Sequence, residues 1–212
     1  LQRTVREFAV GEIAPVAAEA NAFRAEHGLG GKFVVQFSGN IGRTHDVELI
    51  LETAALLRER ADILFLFVGY GGKSPLVTKA SEAGLGNVRF LPRQPRERLG
   101  EMLAASDATL IPLIEGMYGL SVPSRMYNVM AAGVPIVAIA DPRSELALAV
   151  AEESAGWVIE ARSAAGLAAL IASLASSEGR TEAARRGAAG RQAVLARYTL
   201  DEMLDRYRRL LA

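Results

Sequence analysis

Six short apolar runs punctuate the chain: "FVVQF" (33–37), "ILFLFV" (63–68), "VRFL" (88–91), "ATLIPL" (108–113), "PIVAIA" (135–140) and "WVIE" (157–160). Near-continuous runs of this length, rich in branched and aromatic residues, predict strands buried on both faces, as in a parallel sheet. The stretches between them carry a different period. In "VELILETAALLRERA" (47–61), Leu49, Ile50, Ala54 and Leu57 share one face with Glu and Arg opposite, which predicts an amphipathic helix. Similar spacing predicts helices over 74–84, 95–106, 123–133 and 143–154. The alternation is that of a doubly wound α/β layer, where ligands lie beyond the carboxyl ends of the strands. After Ser163 the pattern changes to three helical segments, 163–176, 180–198 and 199–212, with no strand between them. The basic run in the second reads as a solvated face. Residues 1–30, broken by Pro and Gly, read as a connecting segment, so one Rossmann-like domain is expected over 31–197 and a closing helix over 198–212.

Composition narrows the chemistry. At 212 residues the chain buries a core without covalent or metal support. Its 24 basic and 24 acidic residues balance, so nothing favours nucleic acid or an acidic membrane as partner, and any phosphate site is local. The absence of Cys excludes disulfides, thiolate metal sites and Cys nucleophiles, and two histidines, His27 and His45, are too few for a His-rich metal centre. No apolar run reaches the length of a membrane span, and "LQRTVREFAV" lacks a signal-peptide core. The chain is expected to be soluble and cytoplasmic, with any membrane association arising through an absent part or an acceptor. It begins at Leu1, without Met, and is expected to be a fragment or a processed chain.

The loops after the strands carry the candidate site. "SGNIGRTHDVELI" (38–50) follows the first strand, where Gly39 and Gly42 permit a tight turn and close backbone approach to a ligand. Thr44 or Asp46 caps the helix, whose free amides favour an anion, and Arg43 adds a phosphate contact. "VGYGGKS" (68–74) after the second strand brings Gly69 to the same rim; it lacks both the dinucleotide fingerprint and the Walker spacing. In "FLPRQPRE" (90–97) the strand ends at Leu91 and Pro92, whose exposed backbone groups suit the edge of a planar base. "IPLIEGMYGLSVPSRMYNVMAAG" (111–133) presents a further helix start, capped by Ser121 or Ser124, with Arg125 and Asn128 near the same end. Two helix starts converging on one crevice predict a pyrophosphate site. Tyr118 and Trp157 read as packing residues.

Taken in order, "FVVQFSGNIGRTHDVELILETAALL", "FLFVGYGGKSPLV", "NVRFLPRQPRERLGEMLAASDATLIPL" and "VPSRMYNVMAAGVPIVAIADPRSELALAVAEESAGWVI" resemble the C-terminal, donor-binding half of GT-B glycosyltransferases of the group 1 (GT4-like) type. The resemblance runs from about Asn21 to the end. It is strongest to members of cell-surface polysaccharide assembly, and it implies one half of a GT-B fold. It implies retaining transfer of a sugar from a nucleotide diphosphate donor, a UDP- or GDP-sugar, with no metal or other cofactor. The family's glycine loop corresponds to Gly39 through Asp46, but its Arg-Leu and Lys-Gly elements fall on Asn40-Ile41 and His45-Asp46. Arg43 or Arg125 is then expected to supply the charge. The glutamate that holds the nucleotide ribose falls on Asn128. The glutamate near the sugar has Glu115 as candidate, at a longer spacing from Asn128 than is usual in the family. His45 is expected to donate to phosphate when neutral or to stabilise the leaving group when charged. There is no room before residue 30 for the acceptor-binding domain, so the chain is expected to bind donor with little transfer, and its uncovered cleft allows a homodimer. A non-enzymatic module of the same fold and a nucleotide-sugar epimerase are the alternative readings.

Overall fold

The computed structural model describes residues 12–160 and 162–199, together with 202, 204, 205, 208 and 209. The six expected strands form: β1 (Phe33–Asn40), β2 (Ile63–Tyr70), β3 (Val88–Pro92), β4 (Ala108–Pro112), β5 (Ile136–Ile139) and β6 (Gly156–Ile159). They pair in parallel in the order β3-β2-β1-β4-β5-β6. Because successive strand residues point to opposite faces, β1 and β2 feed two cores. Phe33, Val35, Phe37, Phe65 and Phe67 face one helical layer, and Val34, Leu64, Leu66 and Val68 face the other.

The first layer holds α2 (Val47–Leu56), α3 (Ser74–Glu82) and α7 (Ala164–Leu174), which contribute Leu49, Ile50, Val77, Leu167 and Ile171. The second holds α1 (Ala22–Glu26), α4 (Leu99–Ala104), α5 (Arg125–Ala131), α6 (Glu145–Glu152) and α8 (Ser177–Arg197). This is the expected Rossmann-like doubly wound sheet. Several boundaries differ from expectation. The helix expected over 95–106 opens with a 3-10 turn at Arg96–Arg98 before α4. The helix expected from 180 starts at Ser177, because the Ser176 hydroxyl caps it by accepting from Gly179 N at 3.0 Å. The closing helix expected over 198–212 lies largely outside the described residues, as do residues 1–11 of the segment before the sheet.

Within the rest of that segment Ile13, Phe23 and Leu29 enter the second core. Arg24 is buried and donates to the carbonyls of Ala105 (2.8 Å), Leu29 (3.1 Å) and Lys32 (2.9 Å). The basic run of α8 is only in part the solvated face that charge patterning predicts: Arg185 and Arg197 are exposed, but two of its arginines turn inward. Arg186 lies over the Trp157 ring, and Arg191 donates to the carbonyls of Ile13 and Ala131, so the run ties the long helix across the layer. Gly187 permits the approach: a Cβ there would stand 2.0 Å from the Gly133 carbonyl oxygen. Among the described residues no helix is long and apolar enough to cross a membrane.

Candidate functional site

The strand order reverses between β1 and β4, and the two strands pair only at Val35↔Ala108 and Gln36↔Thr109. Beyond Gln36, β1 continues to Asn40 beside β2 alone. A cleft of about 420 Å³ opens there, over the carboxyl ends of β1 and β2, where doubly wound sheets take their ligands. Gly39, Asn40, Gly69, Arg125 and Asn128 line it together. Gly39 and Gly69 are register partners, both with positive φ (116° and 149°). A Cβ on Gly69 would lie 2.0 Å from the Gly39 carbonyl oxygen, so this rim has to be bare backbone.

The chain then turns away from the cleft. Ile41 N donates to Tyr70 O (2.7 Å) and Lys73 N to Ile41 O (2.9 Å), which hooks the turn around the end of β2. Residues 44–46 are stitched to the end of β4 by Ile114 N to Thr44 O (3.1 Å), the His45↔Leu113 bridge and Asp46 N to Pro112 O (3.0 Å). Of the two candidate caps, Asp46 is the one used: its Oδ1 accepts from Leu49 N at 2.9 Å, and its Oδ2 pairs with Arg162 at 2.8 Å. Asp46 thus caps α2 as expected, but none of residues 41–49 lines the cleft, so the α2 amides are not brought to it. Gly42 and Arg43 do not line the cleft, and Arg43 is exposed to solvent.

Arg125 takes the place expected of Arg43. From the start of α5 its Nη1 donates to Ser38 O (2.6 Å), its Nη2 donates to His45 Nε2, and its guanidinium lies 4.9 Å from the centre of the Phe37 ring. Desolvation lowers its pKa to about 10, which leaves it charged at neutral pH, and no carboxylate among the described residues pairs with it. His45 is 6% exposed and stands edge-on to Phe37 at 5.3 Å. Burial first, then the neighbouring Arg125 and Lys73 charges, lower its pKa to about 4. The charged imidazole is disfavoured here, since protonation would put a second cation against Arg125 in a buried site. The ring also lies behind Arg125, outside the cleft lining.

Other sequence candidates are dispersed. Ser124 stands at the start of α5 with helical φ and ψ and no side-chain cap, so neither it nor Ser121 performs the predicted capping; Met126 N and Tyr127 N instead bond back to Pro123 O and Ser124 O. Ser121, Ser124 and the exposed Glu115 belong to the β4–α5 connection and do not line the cleft. Leu91 packs against the second core and Pro92 pairs with Gly69; the cleft wall on that side is built instead from Arg93, Gln94, Pro95 and Arg96. Those residues and Tyr70, whose ring lies 5.7 Å from the Arg93 guanidinium, were missed, although Pro92 and Pro95 bracket two of them. The cleft lining includes three arginines and no Asp or Glu. Asn128 contributes an amide whose Oδ1 is buried without a hydrogen-bond partner. Among the described residues no group of three or more His, Asp or Glu is placed to hold a metal ion.

Comparison with known proteins supplies the deciding observation: the family described as "Glycosyl transferases group 1" matches residues 19–193. The chain belongs to the group 1 glycosyltransferases. Among curated members of this family it is 37% identical over 162 residues to a probable glycosyltransferase, WbjE, of Pseudomonas aeruginosa, covering 76% of this chain and 40% of that protein. It is 33% identical over 131 residues to WcaI of Escherichia coli K12, a putative colanic acid biosynthesis glycosyl transferase, covering 61% of this chain and 32% of that protein. The group 1 sequence thus spans well under half the length of these curated relatives. In structure it is similar to Anabaena HepE, solved in complex with UDP and glucose, with a TM-score of 0.76 at 15% identity over 95% of this chain and 54% of that one. It is also similar to the C-terminal domain of LpcC, a group 1 glycosyl transferase of Francisella tularensis, with a TM-score of 0.70 at 18% identity over 90% and 98% of the two chains. The Rossmann-like sheet is thus the fold of GT-B glycosyltransferase domains.

Proposed function

We propose that this chain is the donor-binding half of a retaining glycosyltransferase of cell-surface polysaccharide assembly, and that its cleft holds a UDP- or GDP-sugar. The observation that carries this reading is Arg125, a largely desolvated cation without a protein counter-charge, beside the bare Gly39–Gly69 backbone in a cleft that has no carboxylate. A buried, unpaired charge is costly, and a diphosphate supplies what the protein withholds. In transfer, the bond between the anomeric carbon and the β-phosphate oxygen breaks and the diphosphate leaves with the electron pair. The acceptor hydroxyl oxygen bonds that carbon on the same face and passes its proton to the departing phosphate oxygen. Arg125 stabilises the charge gathering on the leaving group, the effect expected of a donor fixed in advance.

Asn128 takes the ribose in this reading, a ribose hydroxyl donating to the unsatisfied Oδ1. Arg93 and Tyr70 form the wall against which the base rests. The acceptor-binding half lies outside this chain, so the chain alone binds donor and transfers little. Calorimetric titration with UDP, GDP and their sugars, paired with thermal unfolding, tests the reading, since a ligand that binds only the folded state raises its melting temperature. Absence of heat and of any shift with every nucleotide at millimolar concentration overturns it. Binding without sugar transfer, even when an acceptor domain is supplied separately, marks the chain as a non-enzymatic module.

A further inference from the structure

We propose that His45 is a positioning residue whose neutral imidazole holds the Arg125 guanidinium at the glycine rim of the cleft, and so acts on a bound diphosphate through Arg125 alone. This inference rests on the donor reading above and assigns the contact that makes it work. The two residues are far apart in sequence and meet across the reversal of strand order, one from the β1–α2 turn and the other from α5.

His45 is held on several sides. Its backbone bridges Leu113, its carbonyl accepts from Lys73 Nζ at 2.9 Å, and the next residue caps α2. Phe37 supplies a common platform, with the imidazole edge-on at 5.3 Å and the guanidinium at 4.9 Å. With Nε2 accepting from Arg125, the ring proton sits on Nδ1, 3.3 Å from the Thr44 hydroxyl oxygen. A chain of fixed groups, Thr44 to His45 to Arg125 to Ser38 O, thus determines where the fork points.

The chemistry of the acceptor explains why an imidazole suits this place. A carboxylate would hold Arg125 just as firmly but would cancel its charge and repel a diphosphate; a lysine would repel Arg125 itself. A neutral nitrogen acceptor fixes the guanidinium and leaves its full charge for the ligand. Two carboxylates close to His45 in the chain are matched elsewhere, Asp46 with Arg162 at 2.8 Å and Glu48 with Lys73 at 2.7 Å, and neither pairs with Arg125.

A double-mutant cycle on this chain, read by calorimetry with UDP and with GDP, tests the inference. His45→Leu is expected to weaken binding about tenfold, about the worth of one charged hydrogen bond, and His45→Gln, which keeps an acceptor, to recover most of it. The decisive variant is His45→Leu combined with Arg125→Met, which is expected to bind no more weakly than Arg125→Met alone. Parental affinity in His45→Leu, or a full further tenfold loss in the double variant, overturns the inference while the donor reading stands; failure of the parent to bind either nucleotide overturns the donor reading itself. Should His45→Leu not fold, 15N NMR of the parent decides: Nε2 is expected unprotonated at neutral pH, and a proton on Nε2 overturns the inference.

Discussion

Acidification is the sharpest perturbation of this molecule, because one buried imidazole sets its sign. His45 titrates at about 4 in the folded chain against 6.5 for a free histidine, so the unfolded chain binds the proton first as pH falls. The contribution of His45 is therefore fully present above about pH 6.5, is lost progressively as pH falls, and is gone below about pH 4. A shift of about 2.5 units at 1.36 kcal/mol each gives about 3 kcal/mol in full, of which about 2 kcal/mol is lost by pH 5. Asp141 and Glu182, held at about 2 beside Arg143 and beside Arg185 and Arg186, give up their own contributions mainly below about pH 4.5 and barely enter a comparison made at about pH 5. The assay is urea unfolding of the parent and of His45→Gln at about pH 7.5 and about pH 5, with equal m-values required for the comparison. The parent is expected to lose about 2 kcal/mol more than the variant. Two parallel losses would mean that His45 meets water or a proton in the folded chain, and the argument that it is a neutral acceptor for Arg125 fails.

Further substitutions separate packing from binding. Gly69→Ala meets both a positive φ and the Gly39 carbonyl oxygen at 2.0 Å, and is expected to cost about 2–5 kcal/mol, lowering the melting temperature by roughly 5–20 °C. Gly72→Ala, with nothing within 4 Å of the added methyl, is expected to stay within about 1 kcal/mol of the parent in the same melts. Arg125→Met is expected to weaken nucleotide diphosphate binding by about 1–3 kcal/mol, whereas the exposed Arg43→Ala changes it less than about twofold; calorimetry reporting the reverse order would return the phosphate contact to Arg43. Gly187→Ala pushes α8 off the Gly133 carbonyl and is expected to destabilise by about 1–3 kcal/mol, seen as faster proteolysis between α7 and α8.

The sheet was legible because a strand buried on both faces leaves a local mark, a run such as "ILFLFV" between turn residues, and each run became a strand within a few positions. Gly39, Gly69 and Asn128 were legible from their places after β1, after β2 and near the start of α5. The partner of Arg125 was not, since nothing near residue 45 records that α5 brings a guanidinium against it. Caps were ambiguous for a related reason. Thr44 and Asp46 are equally good acceptors by type, and the choice is made by the β4 backbone, which fixes Asp46 through Pro112 O. Two of the α8 arginines misled because charge patterning reads a helix face in water, while Arg186 and Arg191 reach carbonyls of other elements.

The thin seam between β1 and β4 also bears on how the molecule is assembled. Val35 and Ala108 are 73 positions apart (108 minus 35), whereas Phe33 finds Ile63 in β2 after only a short loop and helix. Loop closure favours the β1–β2–β3 unit early and the β4 seam late on the route to the native state. Until that seam closes, Arg125 has neither Ser38 O nor His45 to grip. A bound nucleotide diphosphate would therefore slow the opening of the finished protein far more than it would hasten its formation.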